Sequence, residues 1–187
     1  MRVSAEIGEK DLAQLCAKGN QSAIKELYNR YAARLCALCS RYSNGSEEGM
    51  DLMHDSLLKA LKKMDMYRYN GPGSLYSWLA RLAVNEAIDH LRKENRLQMT
   101  EQEDGLPEVE EPAPEESETI PDSVLQEMIS SLPDSNRVVL NLYCVEGFSH
   151  KEIADRLGIS EKTASSTLAR ARKMLAKKIK QYWNNHR

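Results

Sequence analysis

Apolar residues along this chain recur every three or four positions in two long stretches, the spacing of helices that bury one face. In the first stretch the pattern predicts helices over residues 11–19, 21–42, 51–64 and 74–96, with a break at 43–46 and a loop at 67–73. Ser46 and Ser74 are the predicted N-caps of the third and fourth of these helices. The apolar stripes predicted to face the core include Leu27, Tyr28, Leu35 and Leu38 on the second helix, Leu58 on the third, and Leu79, Ala83 and Ala87 on the fourth. In the second stretch it predicts helices over residues 124–131, 136–145, 151–157 and 161–182. One Phe, six Pro and nine Gly do not suit a turn-rich β fold, so we predict an all-α fold.

The segment between the two helical stretches is acidic and rich in proline. Residues 100–122 contain four Pro and one Gly, and their few apolar residues follow no helical spacing. Such a segment cannot bury enough apolar surface to offset the loss of chain entropy. We therefore predict two small helical domains, residues 1–96 and 122–187, joined by a flexible, disordered acidic linker at residues 97–121.

Charge is distributed unevenly, although the net charge of the whole chain is only −2. Residues 1–96 hold 15 Lys and Arg against 12 Asp and Glu, a net charge of +3. Residues 97–121 hold 9 acidic residues and no basic ones, and residues 122–187 hold 11 basic against 7 acidic residues. Two basic blocks therefore flank an acidic segment, and the near-neutral total does not exclude a nucleic-acid partner.

Nothing in the sequence predicts a membrane or a secretory destination. No apolar run approaches the roughly 20 residues that cross a bilayer, and residues 1–10 lack the apolar core of a signal peptide. We therefore expect a cytoplasmic protein without membrane insertion.

Cys36 and Cys39 form one C-x-x-C pair, but a zinc site needs further ligands nearby. We expect the pair to pack as small apolar side chains, and we expect no metal and no cofactor.

The second basic block contains the pattern of a helix-turn-helix. Ser149 and Glu152 form a capping box before a short helix, and Gly158 supplies the positive φ that the turn needs. A second helix follows, capped by Ser160, and in such a motif this helix enters the major groove of DNA. A plain helical hairpin with a solvated basic face is the alternative. The candidate DNA-contacting residues on the second helix are Lys162, Thr163, Ser165, Ser166, Thr167, Arg170, Arg172 and Lys173.

A second candidate surface lies at the end of the first basic block. On a helix, Arg81, Asn85 and Arg92 fall on one stripe, and the loop before that helix is rich in aromatic and polar residues. Such side chains can follow a nucleic-acid backbone and hold an unstacked base. The alternatives are a solvated helix face and, for Trp78, a place in the core. The candidate residues here are Tyr67, Arg68, Tyr69, Asn70, Trp78, Arg81, Asn85 and Arg92.

A third surface is predicted on the helix that begins near Asp51. Asp51, His54, Asp55 and Lys59 share one side of it, since residues three or four apart are neighbours on a helix. Two carboxylates could bind a metal or act in catalysis, but no further acidic or histidine cluster completes such a site. We therefore expect a protein-binding or solvated face, and no enzymatic activity.

Taken in order, these motifs resemble the extracytoplasmic-function (ECF) group of bacterial sigma factors, over about residues 12–178. Residues 19–31 are similar to the opening of that family, in which a Gly precedes an aromatic-rich helix. Residues 51–60 resemble the family's helix that docks on the polymerase clamp, and residues 77–85 resemble its promoter −10 helix. Leu132, Pro133 and the helix-turn-helix resemble the domain that reads the −35 element.

The resemblance implies a subunit that binds core RNA polymerase, at its clamp and flap regions, and directs promoter-specific initiation on promoter DNA. The first domain would then dock through the four residues of the Asp51 helix. It would capture an unpaired −10 base in the loop at 67–73, with Asn85 helping to read it. The second domain would read the −35 element as duplex. An anti-sigma factor holds many members of the group inactive, so such a factor is a further candidate partner.

Two positions differ from the family's usual pattern. His54 stands where Gln or Glu is usual, and the hydroxyl residues 165–167 stand where relatives often carry Arg. Hydroxyl groups discriminate between bases less than a bidentate Arg does. We therefore expect a −35 preference unlike the guanine-rich type, with Lys162 and Arg170 as the main anchors.

Three other functions remain as alternatives. A stand-alone helix-turn-helix regulator would bind duplex DNA without polymerase, usually as a dimer. The chain has no heptad seam for a dimer, and this function leaves the first domain unexplained. A nuclease would need ligands beyond Asp51 and Asp55. A structural helical adaptor would show no salt-dependent affinity for DNA.

Overall fold

The computed structural model describes residues 7–97 and 120–186, and the secondary structure in both ranges is helical, which confirms the all-α prediction. A 3₁₀ turn at Met64–Met66 accompanies eight α-helices there, none of which has both the length and the apolar character needed to cross a bilayer. The helices are α1 (Glu9–Ala17), α2 (Gln21–Ser40), α3 (Ser46–Lys62), α4 (Ser74–Lys93), α5 (Asp122–Ser130), α6 (Asp134–Cys144), α7 (His150–Leu157) and α8 (Glu161–His186).

The chain divides into two compact units, residues 1–90 and 91–187. This division lies inside α4, before the end that the sequence predicts for the first domain. The predicted bounds 1–96, 97–121 and 122–187 therefore stay a prediction. The acidic linker falls almost entirely outside the described residues.

In the first unit, the apolar face of α2 packs against both α1 and α3. Leu27, Leu35 and Leu38 of its predicted stripe are each at most 2% exposed. Tyr28 is an exception, because 43% of its surface is exposed. On α4 the predicted core face is buried as well, through Leu79, Ala83 and Ala87.

α1 and α3 begin two and five residues before their predicted starts, whereas α2 begins where the sequence predicts. α1 begins at Glu9 and ends at Ala17, and Gly19 lies beyond it with φ 73°. The prediction that Ser46 caps a helix beginning at Asp51 is wrong, because α3 already begins at Ser46 and its N-cap is Gly45. The Glu48 carboxylate turns back and accepts the Asn44 N–H at 2.6 Å, so the chain before α3 is held without a serine cap.

Gly49 lies where α3 passes closest to the end of α2. A Cβ atom added there would stand 2.6 Å from Ser40 Oγ and 3.0 Å from both Ser40 Cα and Ser43 Oγ. These separations are shorter than ordinary van der Waals contact, and one of them is to backbone. The absence of a side chain therefore sets how closely the two helices approach.

The start of α4 also departs from the sequence prediction. Ser74 is the first residue of the helix and does not act as its cap; its Oγ bonds the Tyr67 hydroxyl at 2.6 Å and accepts the Asn70 N–H at 3.3 Å. The Leu75 N–H instead donates to the Glu9 carboxylate at 3.2 Å. The helix ends at Lys93 rather than near Arg96, and Asn95 follows with φ 55°.

In the second unit, α6 and α7 pack against α8. The predicted capping box is confirmed, since Ser149 accepts the Glu152 N–H and the Glu152 side chain accepts the Ser149 N–H. Gly158 has the predicted positive φ, at 68°. The Ser160 cap of α8 is confirmed by the Thr163 N–H, which donates to Ser160 Oγ at 3.0 Å.

A buried arginine joins α5 to α6. The side chain of Arg137 is 1% exposed, donates to the Ser130 carbonyl at 2.7 Å and pairs with the Asp134 carboxylate. An unpaired buried charge would cost several kcal/mol, so this ion pair and the turn between α5 and α6 depend on each other.

Burial separates the four free cysteines into two kinds. Cys16 and Cys39 are buried and Cys36 is half-buried, all within the helical packing of the first unit, as the sequence predicts for the C-x-x-C pair. Desolvation by burial raises the pKa of Cys16 to about 11 and that of Cys39 to about 12. Cys144, at the end of α6, is exposed.

Replacement of Gly49 by Val should destabilise the first unit. The branched side chain would overlap Ser40 and force α2 and α3 apart, at a cost of about 1–3 kcal/mol in the free energy of unfolding. Urea denaturation followed by circular dichroism measures this. The control is Met50→Val on the neighbouring exposed position, which should change the free energy by no more than about 0.5 kcal/mol. Equal stability of the two variants would contradict the close approach.

At pH 8 iodoacetamide should alkylate Cys144 far faster than Cys16 or Cys39. The thiolate is the reactive form, and the two raised pKa values keep the buried thiols protonated until the pH approaches 11 to 12. Peptide mass spectrometry after timed labelling measures the rates, and labelling in urea provides the control in which all four thiols should react alike. Labelling of Cys39 as fast as Cys144 in the folded protein would oppose this burial.

Candidate nucleic-acid interface

The helix-turn-helix of the second unit is formed by α7, the turn at Gly158 and α8. Ala154, 6% exposed, lies on the inner face of α7, and its carbonyl accepts the Ile159 N–H at 3.1 Å across the turn. On α8 the inner face consists of Ala164, Leu168 and Ala171, each at most 3% exposed. The small residues allow the two helices to pack closely, and the opposite face of α8 is left to solvent.

The first turns of α8 do not expose all of the predicted DNA-contacting residues. Lys162 and Ser165 are exposed and Ser166 is half-buried, but Thr163 and Thr167 are only 4% and 2% exposed. The prediction of an outward position for these two threonines is corrected by the structure. Their positions fall on the same side of the helix as Ala164, Leu168 and Ala171, since residues three, four and seven apart share a face.

The threonines have internal partners instead. Thr163 Oγ1 bonds Ser160 Oγ at 2.6 Å, and Thr167 Oγ1 accepts from the Arg170 guanidinium at 3.2 Å. Asn136 of α6 donates to the Thr167 carbonyl at 3.3 Å. The two hydroxyls are therefore hydrogen-bonded within the start of α8, and the Thr167 carbonyl connects α8 to α6.

Basic side chains continue along α8 beyond these turns. The Arg170 Nε donates to the Ser166 carbonyl at 3.4 Å, so its guanidinium lies along the helix. The Arg172 guanidinium lies 5.4 Å from the centre of the Tyr143 ring, and both Arg172 and Lys173 are exposed. Exposed cations on a helix that carries a polar N-terminal face are suited to phosphate contacts.

The loop before α4 is held in place at Tyr67 and exposed at its tip. Tyr67 is 8% exposed, its hydroxyl is bonded to Ser74, and its ring centre lies 5.6 Å from that of the half-buried Trp78. Burial raises the pKa of Tyr67, so the hydroxyl stays protonated. Tyr69, 45% exposed, and the exposed Arg68 and Asn70 form the tip. Of the four predicted loop residues, three are therefore accessible and Tyr67 is part of the support.

A cavity of about 280 Å³ lies between α1 and this loop. Its polar lining from α1 comes from Lys10 and Gln14, and the opposite wall is formed by Met64 and the segment 67–69. The volume is slightly below that of sites for drug-sized ligands, which begin at roughly 300 Å³.

The predicted stripe on α4 is exposed at its ends and partly covered in the middle. Arg81 and Arg92 are exposed, whereas Asn85 is half-buried. All three lie on α4, whose opposite face is buried by the core residues described above. The stripe can thus face a ligand without disturbing the core.

The four residues predicted to share one side of α3 differ in exposure. Asp51, His54 and Asp55 are exposed, but Lys59 is half-buried and forms an ion pair with Glu86 of α4. The His54 ring is stacked on Tyr28 of α2 with 6.1 Å between the ring centres, and its Nε2 lies 3.3 Å from the tyrosine hydroxyl.

Two exposed apolar residues, Met50 and Leu58, also belong to this α3 surface. The helical spacing predicts that Leu58 lies in the core, but 57% of its surface is exposed. Met50 is 46% exposed. Met50, His54 and Leu58 are four residues apart and therefore share one face. An exposed apolar face on a helix is typical of a protein-binding surface. Within residues 7–97 and 120–186, Asp51 and Asp55 are not part of a group that could hold a metal ion.

Two family models match separate parts of the chain. Residues 27–97 match the family model for Sigma-70 region 2, and residues 123–175 match that for Sigma-70, region 4. The structure is also similar to that of the sigma factor RpoE from Bartonella quintana, solved in complex with the anti-sigma factor NepR. That likeness has a TM-score of 0.52 and 26% sequence identity and covers 83% of this chain and 96% of that one.

Curated relatives are similar over nearly the whole chain. The ECF RNA polymerase sigma-E factor of Haemophilus influenzae is 26% identical over 188 residues, which cover 95% of this chain and 98% of the relative. The ECF RNA polymerase sigma factor SigM of Mycobacterium tuberculosis is 30% identical over 172 residues, which cover 90% of this chain and 85% of the relative. With both sigma regions present in their usual order, this chain belongs to the ECF sigma factor family.

Proposed function

We propose that this protein binds core RNA polymerase and directs promoter-specific initiation of transcription. The observation that carries the proposal is that region 2 and region 4 occur together in one chain, each on its own helical surface. A stand-alone helix-turn-helix regulator would need only the second of these. The exposed apolar face of α3, defined by Met50, His54 and Leu58, gives the first unit a surface for a protein partner.

For the −35 element, we propose that α8 enters the major groove of duplex DNA. Lys162, Ser165 and Ser166 face outward in its first turns, and Arg170, Arg172 and Lys173 lie further along toward the phosphates. Because Thr163 and Thr167 are buried, the groups left to contact bases are the hydroxyls of Ser165 and Ser166 and the amino group of Lys162. Such groups discriminate between bases weakly, so the −35 preference differs from that of relatives with Arg at these positions.

For the −10 element, we propose that the first unit reads an unpaired base. Arg68, Tyr69 and Asn70 at the exposed loop tip contact the strand, while Tyr67 and Trp78 support the loop from beneath. Arg81, Asn85 and Arg92 on α4 continue the contact along the backbone. Capture of an extruded base offsets part of the cost of unpairing the duplex, which couples recognition to melting.

For the polymerase itself, we propose that Asp51, His54 and Asp55 dock on the clamp together with Tyr28, Met50 and Leu58 around them. Lys59 contributes by holding α3 to α4 through Glu86. The flap region is proposed to contact the second unit. The neighbouring structure pairs a sigma factor with an anti-sigma factor, and we propose a partner of the same kind here. Absence of enzymatic activity and a cytoplasmic location stay predictions that go with this function.

Transcription in vitro tests the function directly. Purified protein added to bacterial core polymerase and a pool of genomic promoter fragments should yield transcripts that start a fixed distance below a shared two-part motif. Sequencing of the transcript 5′ ends measures this, with core polymerase alone as the control. If the protein yields no transcripts above the core control but binds duplex DNA by itself, it is a stand-alone regulator and the proposal is wrong.

Replacement of Ser165 by Arg should change the preferred −35 sequence. An exposed Arg near the start of α8 can make a bidentate contact to guanine, which is worth about 1–3 kcal/mol of discrimination, or roughly 5- to 150-fold. Promoter selection from a library randomised in the upstream element measures the shift. Ser123→Arg, on the exposed first turn of α5, adds the same charge elsewhere and should leave the preference unchanged. An unaltered preference in the Ser165 variant would count against this placement of α8.

A further inference from the structure

The carboxylate of Glu9 connects three helices of the first unit. Glu9 is the first residue of α1, and its Oε2 accepts the backbone N–H of Leu75, the second residue of α4, at 3.2 Å. Its Oε1 accepts from the Tyr31 hydroxyl of α2 at 3.1 Å. Neither partner is near Glu9 in the sequence, so this contact exists only in the folded unit.

We propose that Glu9 is a positioning residue for promoter melting: its carboxylate fixes the start of α4 and, through it, the loop at 67–73. The inference rests on the proposed function, because that loop is where we place the unpaired −10 base. Glu9 itself does not touch the DNA in this proposal. It acts through Leu75, Ser74 and Tyr67.

The start of α4 needs such a partner. The first N–H groups of a helix have no acceptor within the helix, and negative charge is favourable beside them. Ser74 would be the local candidate, but its hydroxyl is engaged with Tyr67 and Asn70. α4 also has no acidic residue in its own first turn. Glu9 supplies from α1 the acceptor that the local sequence lacks, and its negative charge adds only a small further stabilisation of the helix start.

Tyr31 keeps the carboxylate in place. The residue is 7% exposed, and burial, together with the neighbouring Glu9, raises the pKa of its hydroxyl to about 12. The hydroxyl therefore remains a donor throughout the physiological range. The Tyr31 ring also lies 6.3 Å from that of Tyr76 in α4, and the Arg34 guanidinium covers Tyr76 at 3.6 Å from its ring centre. Two contacts of α2 therefore hold Tyr76, the residue that follows Leu75 in α4.

The loop follows the start of α4 through direct bonds. Ser74, the residue before Leu75, bonds the Tyr67 hydroxyl and accepts the Asn70 N–H, so both ends of the loop tip are tied to it. The cavity beside the loop has α1 as its other wall. The Glu9 carboxylate therefore adds a link between α1 and the start of α4, to which the loop is bonded, and its loss would loosen the loop.

The test uses holoenzyme assembled from core polymerase and each variant. The measured quantity is the affinity for a fluorescent single-stranded oligonucleotide that carries the −10 motif recovered by the transcription experiment. E9A should lower this affinity by roughly tenfold, the loss expected for about one charge-assisted hydrogen bond. E9Q should remain within about twofold, because its amide oxygen can accept the Leu75 N–H and its nitrogen can donate to Tyr31. Y31F should fall between them.

The matched control is Asp11→Ala, which removes an exposed acidic residue from the same first turn of α1. It should leave the affinity for the −10 strand unchanged. Core binding, measured by competition with labelled wild-type protein, should be the same for all variants. Permanganate footprinting of the promoter should show fewer open complexes for E9A and normal numbers for E9Q.

Several outcomes would overturn the proposal. E9A with the same strand affinity as wild type would show that the start of α4 needs no such contact. E9Q as weak as E9A, or a loss of core binding in parallel with strand affinity, would show a general structural role. If wild-type holoenzyme neither binds the −10 strand nor opens promoters, the proposed function fails instead, and the two failures are thereby distinguished.

Discussion

Short helices make this protein depend on burial in tertiary contacts. α1, α5 and α7 have 9, 9 and 8 residues, fewer than the roughly 12–15 at which an isolated helix becomes marginally stable in water. Each packs on a longer helix, α1 on α2 and the other two on α8. Packing uses one face of each long helix, and the polar residues that remain on the outer faces are those with which the protein can bind DNA or polymerase.

α8 shows how closely support and recognition are combined. Residues 163–167 contain four hydroxyl side chains and one alanine, and in the sequence the hydroxyl residues look equivalent. The helical repeat turns Thr163 and Thr167 inward beside Ala164, and turns Ser165 outward. Buried hydroxyls must be hydrogen-bonded, and the bonds to Ser160 and Arg170 meet this need. The two threonines therefore belong to the support of α8, and in the proposed function Ser165 is the residue left to contact DNA.

In the first unit, buried contacts also support exposed residues, but these contacts join residues that are far apart in the sequence. The loop before α4 has exposed tip residues, yet its base is fixed by the Tyr67–Ser74 bond and by the packing of Tyr67 on Trp78. In the proposed function this loop receives an unpaired base, and it loses less conformational entropy on binding because its frame is already ordered. The Glu9 carboxylate belongs to that frame, because it joins the first helix to the helix that follows the loop. The same contacts therefore keep the Tyr67 end of the loop rigid and leave its tip accessible.

The sequence by itself determined the features that depend on neighbouring residues. Helical spacing predicted the helical class and most buried positions. The capping box of Ser149 and Glu152, the Ser160 cap and the positive φ of Gly158 involve contacts only a few residues apart, and all are confirmed. The order of motifs also identified the family.

Only the tertiary structure decided which partner each surface position has. It exposed Leu58, which the spacing assigned to the core, and engaged Lys59 with Glu86 on another helix. It assigned the cap of α4 to Glu9, far away in the sequence. Periodicity specifies the direction of a side chain relative to its own helix. What lies in that direction depends on how distant helices pack, and that is set by the shapes and charges of the whole unit.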